Sequence, residues 1–149
     1  MKHLLMAFPV PSIDENEIAA LEKRLNVSFP DTYKEFLAIH NGGGPSAENQ
    51  SFVCEDGDFF SVQFFLSVVN SEDPYYEIDN IVERYGARIP HELFPIAKEA
   101  FGDLVLIGVD GTRRGQVFLW DHEKEALGHG YANISLIAPH FEKLSRGIA

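Results

Sequence analysis

The chain has almost no cysteine. Its single thiol, Cys54, cannot close an internal disulfide, which excludes the cross-linked framework of small secreted domains. Nor does any stretch reach the roughly 18 consecutive apolar residues of a membrane span. The opening run from Met1 to Phe8 is briefly apolar, but it is too short for a secretory signal and is followed by Pro9 and Pro11. A cytoplasmic protein is the expectation. Positive charge is scarce as well: 12 Lys and Arg stand against 23 Asp and Glu, a formal net charge of -11. An acidic surface repels nucleic-acid phosphates and anionic lipid, so neither is expected as a direct partner. It attracts a basic protein and speeds the encounter, although solubility alone would also account for it.

The motifs of common chemistries are missing too. None of the six histidines sits in an HxH or HExxH arrangement, so no metal is expected. Gly42, Gly43 and Gly44 lack the lysine and spacing of a phosphate loop and read as a helix stop. The acidic stretch with Glu48, Glu55, Asp56 and Asp58 lacks the alternation and closing glutamate of a calcium loop. Cys54 has no neighbouring histidine or arginine to lower its pKa and reads as a buried thiol. No cofactor is implied and the chain is not expected to be an enzyme. An enzyme would need titratable groups brought together in a cleft, for example His122 with Asp103. The plainer expectation is that His122 ends a strand and bonds to a turn, and that Asp103 is a turn residue.

What is present suits one domain. The chain has 149 residues, 45% of them apolar, with twelve Phe, five Tyr and one Trp. Most of those phenylalanines must be core. A first helix is expected over 14–25, with Ser12 at capping-box spacing from Glu15 and Ile18, Leu21 and Leu25 on one face. A second starts near Pro30, carries Tyr33, Phe36, Leu37 and His40, and is stopped by the glycines. Residues 45–58 read as a loop or ragged strand pair. Residues 59–69 read as strand, or strand then helix. Ile78, Ile81, Val82 and Tyr85 suggest a short helix ending at Gly86. Residues 93–97, 103–109 and 116–120 read as strands, the last two joined through Asp110 and Gly111. Residues 138–144 look like a closing helix. The fold class expected is α+β, an antiparallel-rich sheet flanked by helices, with an N-terminal extension over 1–12 and one domain over 13–149.

A pattern runs through these elements. It comprises Ile18, Leu21, Leu25, Phe29, Pro30, Tyr33, Phe36 and Leu37, then Asn41, Gly42 and Gly43. Later come Pro95, Ile96 and Ala97, then Phe101, Gly102 and Asp103, then Val117, Phe118, Trp120, Asp121 and His122. Ala132, Ile134, Ser135, Ile137 and the stretch from Phe141 to Leu144 close it. In this combination the chain resembles the SUKH superfamily, the family of the yeast cell-wall-synthesis regulator and of many bacterial immunity proteins. Phe29 stands where leucine is more usual, and Ser135 and Phe141 are spaced more widely than the family pattern. The resemblance implies a protein that binds another protein: an immunity protein that neutralises a toxin, often a nuclease, by stoichiometric contact. A regulatory scaffold of the cell-wall-regulator kind is the other role it allows.

The residues that suit such contact are Asp73, Tyr75, Tyr76, Glu77 and Asp79, flanking Pro74. Tyrosine gives rigid contact area with a polar tip, and the carboxylates can pair with Lys or Arg of a basic partner. Glu55, Asp56 and Asp58 are a second acidic group of the same kind. The plainer alternative is that both tyrosines pack on the chain's own sheet while the acids face water.

Overall fold

In the computed structural model, residues 4–54, 57–69, 71–125 and 130–146 are described. Strand β1 (Met6–Phe8) leads into α1 (Glu15–Leu25) and α2 (Asp31–His40). Next come β2 (Gly44–Pro45), β3 (Ser51–Val53) and β4 (Phe59–Phe65). Helix α3 (Ile78–Tyr85) precedes β5 (Leu93–Glu99), β6 (Leu104–Gly108) and β7 (Val117–Trp120), and β8 (Ile134–Ala138) and β9 (Ser145–Arg146) end the fold. The main sheet has the order β8-β7-β6-β5-β4-β3-β9, every named pairing antiparallel. The small pair β1-β2 joins it through the bridge between Gly43 and Phe65 at the far end of β4. The protein is therefore a single α+β domain built on a curled antiparallel sheet.

Local chemistry sets the helices. Asp14, rather than Ser12, caps α1 by accepting from the Glu17 amide at 2.9 Å. Asn26 closes α1 and Asn41 closes α2, both left-handed, with φ 52° and 50°. The helix stop expected of the glycines thus falls on Asn41 first. The phenylalanines behave as expected: eight of the twelve are buried, namely Phe29, Phe36, Phe52, Phe60, Phe65, Phe94, Phe118 and Phe141.

Strands β5 and β6 are buried at every position, so both faces of the sheet are covered there. On one face Phe94 meets Phe29 at 5.1 Å and Phe65 meets Phe36 at 5.0 Å. On the other, Trp120 meets Tyr85 of α3 edge-on at 5.9 Å. Register explains the division. Trp120 and Lys98 pair with Leu104, Phe94 pairs with Ile107, and residues an odd number apart on β6 point to opposite faces.

One expectation needs correction. The closing helix over 138–144 does not form. Ile134–Ala138 is an edge strand paired with β7, and only the single 3-10 turn Phe141–Lys143 follows it. Pairing with Val117 to Trp120 outweighs helix formation in so short a segment. For residues 59–69, left open between strand and strand then helix, the strand ends at Phe65 and Leu66 to Val69 is extended or bent, tied by the Leu66 amide to the Ile96 carbonyl.

Candidate functional site

The Asn-Gly-Gly segment that marks the chain is a structural clamp. Asn41 is fully buried. Its side-chain amide donates to the carbonyls of Pro11 at 3.0 Å and Val69 at 2.7 Å, and its oxygen accepts from the Val68 amide at 2.8 Å. Two distant segments meet on one side chain. Gly42, at φ 78°, passes so close to the backbone at the end of β4 that a Cβ would clash with the Phe65 and Leu66 carbonyl oxygens.

The structure brings His122 and Asp103 together. Leu104 pairs with Trp120, so Asp103 lies opposite Asp121 at the strand ends, and His122, one residue further on, opens the 3-10 turn His122–Lys124 beside it. His122 Nδ1 lies 2.6 Å from Asp103 Oδ1, and the same oxygen accepts the His122 amide at 3.1 Å. The imidazole packs over Gly102, where a Cβ would come within 3.1 Å of the ring. The Asp103 hydrogen bond holds the imidazole pKa above its ordinary value. Asp121 completes a group whose ligand atoms lie within 4.8 Å of one another, a spacing that could hold a cation. Within this group the Nδ1 side of the imidazole is engaged by Asp103. As it stands, Asp103 ties the β5–β6 turn to the end of β7. Burial pushes the carboxyl of nearby Glu99 up, and that carboxyl accepts the Phe101 amide inside the same turn.

The aromatic and acidic segment before α3 divides into two environments. Tyr75, half-buried, turns toward the chain's own cations: the Arg84 guanidinium carbon lies 4.9 Å over its ring and Lys98 Nζ 5.8 Å away. Tyr76 stacks on Phe64 with centroids 4.4 Å apart and planes 13° apart. Asp73 caps the 3-10 turn Pro74–Tyr76 through the Tyr75 amide and stays exposed. Glu77 accepts the Ser71 amide, and Asp79 pairs with Arg24 of α1 at 2.8 Å. Asp73 and Tyr76 therefore face a surface groove, while Glu77 and Asp79 brace the fold.

That groove, about 480 Å³, has Phe8, Phe64 and Tyr76 along its walls and Glu72 and Asp73 at its rim. Burial, with Asp73 and Tyr75 adding to it, pushes the Tyr76 phenol up. Sequence reasoning missed Phe8 and Glu72. Phe8 lay in the expected N-terminal extension, and only the pairing of β1 with β2 carries it to this face. Of the second acidic group, Glu55 and Asp56 lie outside the described residues. Asp58 precedes the first residue of β4, whereas Phe64 is near its end. At about 3.3 Å per residue that strand keeps Asp58 away from the groove.

Residues 12–146 match the SMI1 / KNR4 family (SUKH-1). A curated relative, the SPbeta prophage-derived uncharacterized protein YokK of Bacillus subtilis (strain 168), is 27% identical over 150 residues, covering 89% of this chain and 73% of its own. A crystal structure of a protein from Pseudomonas syringae pv. tomato superposes with a TM-score of 0.52 at 20% identity, over 78% of this chain and 73% of that one. At that identity the likeness speaks for the fold. No helix among the described residues is long and apolar enough to cross a membrane.

Proposed function

The chain belongs to the SMI1 / KNR4 family (SUKH-1), and on that premise we propose that it is an immunity protein that binds and neutralises a cognate toxin domain one to one. The observation that carries this reading is the acidic, aromatic face around Tyr76 and Asp73 on a chain of net charge -11. Stacked rings supply rigid contact area, and carboxylates at the rim complement a basic partner. A nuclease fits this electrostatic field, because its substrate-binding surface is basic. Inhibition needs no chemistry from this chain: a stoichiometric cover over the partner's substrate groove suffices.

Co-expression tests the proposal. The protein encoded beside this gene should arrest growth when expressed alone and be tolerated when this chain is present. A variant with Asp73→Lys and Tyr76→Ala should lose protection while accumulating as a folded protein. Full protection by that variant would remove this face from the interface, and failure of the wild-type chain to protect would remove the immunity role against that partner.

A further inference from the structure

We propose that the groove between Phe8 and Tyr76 receives an arginine side chain projecting from a basic protein partner. The inference rests on the binding role proposed above and names what the face recognises. Phe8 and Phe64 line the groove, and both rings close onto the backbone at Gly44, where a Cβ would lie 3.0 Å from Phe8 Cδ2 and 3.2 Å from Phe64 Cδ2. A residue without a side chain therefore lets the two rings approach each other across β2. The Phe64 wall continues into Tyr76 through their stacked pair. Phe8 is 69% exposed, a large apolar ring left in water.

Glu72 and Asp73 stand at the rim, and none of the described residues lining the groove is Lys, Arg or His. Aromatic faces below and carboxylates above complement a planar cation. A guanidinium can lie on the rings while its N–H groups reach the carboxylates, which a compact ammonium does less well. The chain already forms half of this arrangement internally, where Arg84 lies over Tyr75 at 4.9 Å on the other side of Tyr76. The groove offers matching surfaces with no basic residue among the described residues that line it.

The test is a backbone amide NMR titration with acetyl-triarginine amide, using the neutral isostere acetyl-tricitrulline amide as control. Shifts should concentrate at Ala7, Phe8, Phe64 and Asp73, and the citrulline peptide should leave them unmoved. A variant carrying Phe8→Ala and Glu72→Lys should bind at least tenfold more weakly. Both positions are exposed, so the variant should keep the wild-type melting curve, and Glu72→Lys alone serves if it does not. A distant charge reversal, Glu35→Lys, should bind within about twofold of wild type. Shifts scattered over the whole acidic surface, or equal weakening by Glu35→Lys, would overturn the proposal. The same variants against the protein from the adjacent gene separate the two levels. Equal affinity for wild type and the groove variant overturns the arginine site and leaves the immunity reading standing. Absence of binding by wild type counts against the immunity reading, while the peptide titration still decides the groove.

Discussion

Asn41 shows how a motif read as a helix stop does more than stop a helix. Replacing it with alanine removes three hydrogen bonds, leaves the buried Val68 amide without its acceptor, and unties the Pro11 and Val69 carbonyls. Asn41→Ala should cost about 3 kcal/mol of stability in urea denaturation. Gly42→Ala should cost more than about 2 kcal/mol by the same measurement, because it combines a left-handed φ with a backbone clash. A change below 0.5 kcal/mol in either, taking about 0.5 kcal/mol as the scatter of ordinary surface substitutions, would contradict the clamp. The sequence showed that something turns at Asn41 and the glycines. It could not show the partners, which lie some thirty residues away in each direction.

The His122–Asp103 contact carries a pH signature. The hydrogen bond raises the folded-state pKa of His122, so its stabilisation is complete below the unfolded value of about 6.5 and fades as pH rises through the higher folded value. The melting-temperature gap between wild type and His122→Ala should therefore be larger at pH 5.5 than at pH 8.5. An equal gap at both would mean that the ring contributes by packing on Gly102 alone.

At the scale of elements, most of the fold was legible where periodicity was sustained. The α1 pattern of Ile18 and Leu21, and the alternation in β7 of Val117 and Leu119 against Phe118 and Trp120, map onto the structure. The C-terminal segment was not legible, because Ile134 to Leu144 mixes an alternating stretch with a proline-led one that suits a helix's first turn. Pairing with β7 decides the first half, and aromatic packing decides the second. Phe141 is fully buried and contacts Tyr33 at 5.5 Å and Phe36 at 5.2 Å. It pins the chain's end onto α2. Phe141→Ala should cost about 3–5 kcal/mol and speed hydrogen exchange in α2 as well as in β8. A loss confined to the last turn would show that the C-terminal segment is not integral to the core.

At the scale of the whole molecule, charge and topology act together. The acidic excess was plain from composition, but the groove was not, because its walls come from β1, β4 and the turn before α3, far apart in sequence. Of the residues expected for partner contact, Asp73 and Tyr76 reach the groove, while Tyr75, Glu77 and Asp79 are engaged within the fold. The most direct measurement is a calorimetric titration of this chain against the protein encoded by the adjacent gene, at low and at physiological salt. The immunity reading predicts tight one-to-one binding that weakens as salt screens the acidic face. No heat of binding at either salt, or an affinity indifferent to salt, would contradict it.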